Sequence, residues 1–273
     1  MIKDKKKIPI ELKIGTALVL GLLIVALLAP YITAYPPEQL LPDLLSPPSK
    51  AYPFGTDGIG RDVFSMVVYG TRTSLFIGIV TALLSMLIGV AVGSISGFYG
   101  GKIDIIISEI LNIFSMVPSL FLIILVISVF GSSIRNVVLV IGLTSWPGTA
   151  RIMRAQTMAL KERTFVKAYR VLGQSNANII FKHLIPHGLS PVLVNLAISV
   201  SNAILSESSL AFLGLGDPNV ISWGQIINIG KKYILSGWWI MLFPGLAIGI
   251  TVYAFHLIAE GMDKYLSESE IRG

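Results

Sequence analysis

Long apolar runs constrain this chain more than any other feature. A helix needs roughly 20 apolar residues to cross about 30 Å of hydrocarbon. Six segments approach that length: Ile14–Ile32, Ser74–Phe98, Ile103–Phe130, Val137–Met153, Pro191–Leu213 and Trp238–Ile258. Hydrophobic residues make up 53% of the 273 residues and charged residues only 13%, against about 25% charged in soluble domains. The expected fold is an all-α integral membrane protein of six transmembrane helices. Cysteine is absent, which excludes disulfides and any thiolate chemistry.

Lys3, Lys5, Lys6 and Lys7 precede the first run as they would in a signal peptide. Its core, Ile14–Ala29, is long for a signal, and no small-x-small cleavage site follows, so an uncleaved anchor is expected. Basic residues then set the orientation. With the N-terminus inside, the inner segments hold fifteen of the 21 Lys and Arg. Lys3, Lys5, Lys6, Lys7 and Lys13 come first, then Lys102 in the Gly100-Gly101 turn. Arg151, Arg154, Lys161, Arg163, Lys167, Arg170 and Lys182 follow, and Lys264 and Arg272 end the chain. Both termini are thereby expected in the cytoplasm. The net charge of +6 needs no nucleic acid to explain it. Residues 1–71 read as an anchor helix plus a long, Pro-rich outer loop, and residues 72–273 as the core with five helices.

Segment 161–188 interrupts the apolar pattern and falls on the cytoplasmic side. Thr164 suits an N-cap, and Phe165, Val166, Tyr169 and Leu172 then share one helical face. Lys167 and Arg170 point elsewhere, and Gly173 stands where a C-cap glycine belongs. Asn176 is placed to cap a second short helix, Ala177–His183, and Ser190-Pro191 to start the next span. An interfacial helix lying on anionic lipid and a protein docking site fit this pattern equally well.

Lys167-Ala168-Tyr169, three residues, Gly173, nine residues and His183-Leu184-Ile185-Pro186 resemble the EAA loop of ABC-importer permeases. Lys stands where that motif has Glu, Tyr for its second Ala, and His183 and Ile185 for its Ile and Leu. Ala168, Gly173 and Pro186 keep its spacing. Phe54–Asp62, Glu207–Gly216, Ser222-Trp223-Gly224, Trp238-Trp239 and Pro244-Gly245 are similar to the C-type permease of dipeptide, oligopeptide and nickel importers. His256–Asp263 departs from the Asn-Leu-x-Gly-Asp pattern of that group.

The resemblance implies a multi-pass subunit of a prokaryotic inner (plasma) membrane that is not itself an enzyme. It implies a MetI-like core and four partners besides lipid: a second homologous permease, two cytoplasmic ATPases and an extracytoplasmic binding protein. The chain has no G-x-x-x-x-G-K-[ST] loop: Ile103 follows Gly100-Gly101-Lys102, and Gly224 and Gly230-Lys231 have the wrong spacing. No cofactor is therefore expected in this chain, and ATP and Mg would be bound by the ATPase subunits. On this view the ATPase takes helix Thr164–Leu172 into a groove that Phe165, Val166 and Tyr169 fill. Substrate would be peptide-like. A nickel chelate or oligosaccharide importer of the same group stays open, as does a facilitator or channel working without ATP.

Polar residues inside spans are expensive and face partners or cavities. Ser108, Asn112, Ser115 and Ser119 repeat the spacing of Asn195, Ser199, Asn202 and Ser206. Each set forms a stripe that suits either a translocation pathway or interhelical hydrogen bonding. Glu109, Glu207, Asp57, Arg61 and Asp62 suit gates, structural pairs or loop contacts. Gly89, Gly93 and Gly97 form a small-residue ridge for close packing, and Pro118 should kink its span. His256 and Glu260 lack a third metal ligand, so no metal site is expected. If the stripes line a pathway, single cysteines at the eight Ser and Asn positions will react with a water-soluble thiol reagent in at least one nucleotide state. Protection of all eight in every state assigns them to packing.

Overall fold

The computed structural model describes residues 8–271, with side chains to Ser267. Nine helices carry the described chain: α1 Ile10–Ile32, α2 Val63–Tyr99, α3 Gly101–Met116, α4 Ser119–Phe130, α5 Ile134–Lys161, α6 Thr164–Val171, α7 Asn176–Phe212, α8 Trp223–Gly230 and α9 Trp239–Ile271. Among the described residues the only strand-like pairing is one isolated bridge, Thr56 with Asp62. The division expected at residue 71 falls inside α2. The stretch between α1 and α2 ends at Asp62, whose Oδ2 accepts from the Ser65 N–H at 2.8 Å and caps α2.

Four helices, α1, α2, α7 and α9, are long and apolar enough to cross a membrane. The third expected span is broken rather than kinked: α3 and α4 qualify only together and meet at 83°. Pro118 offers no N–H and forces Val117 into extended backbone (φ −87°, ψ 123°), which ends α3. Helix α5 contains the run Val137–Met153 but also Arg135, Arg151, Arg154 and Lys161, and does not qualify by composition.

The expected short helix Ala177–His183 is not separate. Ser175, rather than Asn176, provides the cap, and its Oγ accepts from Asn178 N at 3.3 Å. The chain then runs through a π-helical stretch, Ile179–Leu184, directly into the rest of α7. There Ile185 N bonds to Ile180 O, five residues back. This wider turn carries the helix past Pro186, which lacks the N–H that an α-helical ladder requires.

The largest core joins α2, α7, α8 and α9 through Met66, Leu75, Val200, Ile204, Trp223, Ile226 and Ile240. Trp223 is fully buried, yet its indole N–H donates to Val67 O at 3.0 Å. Trp239 does the same toward Thr56 O at 3.0 Å. Burial of these rings is favourable because each N–H keeps a partner. Helix α1 lies on α9, where Gly15 meets the backbone of Ala254 and Ile258, and Gly261 meets Leu12. Pro30 leaves Ala26 O without its helical donor. Arg72 of α2 supplies one from its Nε, and its Nη2 donates to Leu27 O at 3.1 Å.

Helices α2 and α5 approach backbone to backbone. A Cβ at Gly89 would stand 2.6 Å from Thr149 Cβ, one at Gly97 2.6 Å from Arg154 O, and one at Gly93 would strike Ala150 O. The ridge is thus a helix-packing surface, as the spacing predicts. Gly93→Leu should destabilise the protein by about 1–3 kcal/mol or more through overpacking. Gly249→Ala, with nothing within 4 Å, should be neutral or stabilise α9 by up to about 1 kcal/mol. Apparent melting temperatures in detergent will check the contrast; equal melting of the two variants would contradict the packing described.

Candidate functional site

Eight residues make too short a helix to persist alone, so α6 must borrow stability from its surroundings. Arg163, not Thr164, occupies the N-cap, without a side-chain hydrogen bond. The helix ends in a Schellman motif: Gln174 N bonds Tyr169 O at 3.1 Å and Gly173 N bonds Arg170 O at 3.0 Å. Gly173 takes φ +75°, which a side chain would strain.

The apolar stripe expected to face a partner faces this chain instead. Val166 is 0% exposed and packs with Phe98, Ile179, Ile180 and Leu184. Tyr169 stacks on His183 at 3.9 Å, and Phe165 lies over His187 at 5.4 Å. The reason is the same shortness: a helix of about two turns needs its apolar side buried at home. Lys167, Ala168 and Arg170 lie on the exposed side, with Val171 at 88% and Leu172 at 75% exposure. Leu172, predicted on the stripe, thus belongs to the outer surface. Arg170 lies 5.3 Å from the Phe98 ring centre, and Lys167 lies 3.9 Å from Glu162 between two exposed side chains. Pro186 sits exposed just beyond the π turn beneath α6.

The two polar stripes flank α5. On α3, Ile107, Leu111 and Phe114 pack toward Trp146 and Ala150, which leaves Asn112 and Ser115 exposed and Ser108 half-buried. Ser119, beyond the break, is exposed on α4. Ser115 Oγ accepts from Arg151 Nη2 at 2.7 Å. On α7, Asn195 donates to Thr149 Oγ1 at 3.1 Å and to Ser199 Oγ at 3.4 Å. Asn202 is exposed and Ser206 half-buried. Thr149 and Arg151 are two residues apart on α5, so the two stripes are bonded from different faces of that helix. Asn195 and Ser115 are the members spent on interhelical bonds.

The acids are mostly structural. Asp57 is buried and its carboxylate takes Ile59 N at 3.0 Å, Arg61 N at 2.8 Å and the Arg61 guanidinium at 2.7–2.8 Å. Together with the Asp62 cap, this orders the loop between α1 and α2. In the same loop Tyr52 donates to Asp43 Oδ2 at 2.9 Å, and that carboxylate pushes the phenol above its usual range. Glu207 is buried, takes Ser222 Oγ at 2.6 Å, and so ties α7 to the N-cap of α8. Glu109 is exposed on α3. His256 Nδ1 meets Val252 O at 2.9 Å while Glu260 pairs with Lys264 at 2.8 Å, so the two do not converge. A cleft of about 380 Å³ opens between Arg61, Ser132, Gln225 and Asn228.

One constellation escapes sequence reasoning, which counts its members only as charges. Arg154 of α5 grips Asp104 of α3 through both nitrogens, Nε to Oδ1 at 2.5 Å and Nη2 to Oδ2 at 2.6 Å. Ser96 of α2 donates to the same carboxylate at 2.5 Å. The only sequence signal is an acid in the first turn of α3, opposite a basic residue that lies within the small-residue seam.

An all-helical chain with several membrane-length helices and a short, pinned basic helix has the architecture of a multi-pass membrane protein. Residues 89–270 match the family described as the binding-protein-dependent transport system inner membrane component. The dipeptide transport system permease protein DppC of Bacillus subtilis (strain 168) is 37% identical over 255 residues, 92% of this chain and 80% of that protein. The oligopeptide transport system permease protein OppC of the same organism is 36% identical over 253 residues, 91% and 82% of the two chains. The glutathione transport system permease protein GsiD of Pectobacterium atrosepticum is 36% identical over 247 residues, 89% and 82%. The fold is shared with a chain of the inward-facing MetNI methionine ABC transporter, with TM-score 0.59 and 23% identity over 72% of this chain and 94% of that one. The chain belongs to the binding-protein-dependent transport system inner membrane component family.

The two sides of α6 should respond differently to substitution. Val166→Ala removes buried methyls and should cost roughly 1.5 kcal/mol plus a cavity penalty. Val171→Ala should cost almost nothing. Trypsin cleavage at Lys167 and Arg170 in the isolated chain reads this directly; equal cleavage of the two variants would show that Val166 does not pin the helix.

Proposed function

We propose that this chain forms half of the translocation pathway of an ATP-driven importer for peptide-like substrates. A second, homologous permease completes the pathway, and an extracytoplasmic binding protein delivers substrate. Two cytoplasmic ATPases supply the work. The reading takes the chain as six crossings with both termini and α6 in the cytoplasm, as the distribution of Lys and Arg favours.

The observation that carries it is the geometry of α6 in a chain of this family. One face is pinned through Val166 to Ile179, Ile180, Leu184 and Phe98. The opposite face offers Val171 and Leu172, with Lys167 and Arg170, to whatever approaches. A helix fixed on one side and open on the other passes on displacement instead of absorbing it. The docking residues are therefore Lys167, Ala168, Arg170, Val171 and Leu172. Phe165, Tyr169 and Pro186 support the helix from behind, and Gly173 ends it. The sequence has no phosphate-binding loop, so nucleotide chemistry falls to the ATPases. The peptide class is supported by the dipeptide, oligopeptide and glutathione permeases among the relatives.

In proteoliposomes that contain both permeases and both ATPases, with the binding protein added, labelled peptide should accumulate only with ATP. Uptake by this chain alone without ATP would mean a facilitator instead. Preference for a nickel chelate or an oligosaccharide over peptides would overturn the substrate class. Val171→Asp with Leu172→Asp should weaken ATPase binding by at least about tenfold, near 1.4 kcal/mol, while membrane insertion is kept. Undiminished ATPase co-purification would reject the assigned docking face.

A further inference from the structure

We propose that Arg154 and Arg151 strap α3 to α5, so that displacement of α6 is delivered to the polar face of α3. The proposal rests on the importer reading and names the positioning residues within it.

Helix α5 ends at Lys161, and only Glu162 and Arg163 separate it from α6. Arg154 lies seven residues before that end, about 10 Å along the helix, and Arg151 one turn further. Opposite Arg154, Gly93 and Gly97 of α2 lie against the α5 backbone. Helices α2 and α5 therefore move together, and α5 cannot yield locally.

Helix α3 is attached quite differently. Of its sixteen residues only Leu111 is buried. The chain changes direction at both its ends. Gly100 and Gly101 stand at φ +64° and +52° before it, and the 83° break at Val117–Pro118 follows it. Between these joints α3 is a rod of roughly 24 Å with a light apolar seam. Its two ends are held by guanidinium groups. Arg154 and Ser96 hold Asp104 in the first turn. Arg151 holds Ser115 Oγ at 2.7 Å and Leu111 O at 3.2 Å near the last turn.

Apolar contacts let one helix slide along another. A two-point fork on a carboxylate fixes distance and orientation. The Arg154 and Asp104 side chains are 31% and 17% exposed, so salt screens them less than a surface pair. Ser108, Asn112 and Ser115 thus sit on a rod whose position the two arginines set.

The test uses the complete transporter in proteoliposomes, with both permeases, both ATPases and the binding protein. Asp104→Asn and Arg154→Gln should leave assembly and ATP hydrolysis within about twofold of the unmodified complex. Peptide taken up per ATP should fall by about tenfold, within the range of ordinary coupling strengths. The exchange variant, Asp104→Arg with Arg154→Asp, should recover most of that loss. Because the chain has no cysteine, Asp104→Cys with Arg154→Cys offers a second measure. Uptake per ATP should be low in this variant and rise when a short bismaleimide bridges the two thiols.

Unchanged uptake per ATP in the single variants overturns the proposal. So does a parallel loss of assembly, hydrolysis and uptake in the single variants, which would make the pair a fold contact only. Failure of the bismaleimide to raise uptake also overturns it. If the unmodified complex shows no ATP-driven uptake, the importer reading fails instead.

Discussion

The close approach of α2 and α5 is the interaction on which the rest of this structure depends. Lipid tails are as apolar as leucine, so helices in a bilayer gain little from burying apolar surface and must gain from contact. Gly89, Gly93 and Gly97 bring the two backbones together. Once α5 is seated there, its other faces are fixed. Thr149 meets Asn195 of α7, Trp146 and Ala150 meet the apolar face of α3, and Arg151 and Arg154 reach the two ends of α3. Its last turn then sets where α6 begins.

Several polar side chains between helices are paired in ways that also place those helices. Arg72 satisfies the carbonyl that Pro30 strands on α1, and Glu207 ties α7 to the cap of α8. Each bond removes a desolvation penalty and fixes a register as it does so. Thr81, Ser85 and Thr157 keep buried hydroxyls without a partner, and Thr157 lies in the α2–α5 seam, against Gly97. Hydroxyl oxygens are tolerated there because the seam demands small side chains, whatever their polarity.

Much of this was legible from residue order. The apolar runs locate α1, α2, α7 and α9, the glycine spacing marks the α2–α5 seam, and the basic segment marks α6 and its glycine stop. The misreadings share one cause. Local pattern says that a helix has an apolar face, but not what covers it. Phe165, Val166 and Tyr169 have the periodicity of a docking face, and the chain covers them itself with Ile179, Leu184, His183 and His187. Proline is ambiguous for a similar reason. Pro118 breaks its span at 83°, whereas Pro186 is absorbed by a π turn.

The sequence alone determined the class: too little charge for a water-soluble fold, long apolar runs, no phosphate loop and a spaced motif in segment 161–188. These depend on composition and on neighbours in the chain, which transfer free energies and helix geometry act on directly. Only the tertiary structure decided which face of α6 is free, that the two polar stripes are bonded from different faces of α5, and that Asp104 meets Arg154 fifty residues away. Those outcomes depend on which helices approach closely enough to exclude everything else. That selection is made by packing between distant segments, on which the order of residues along one helix is silent.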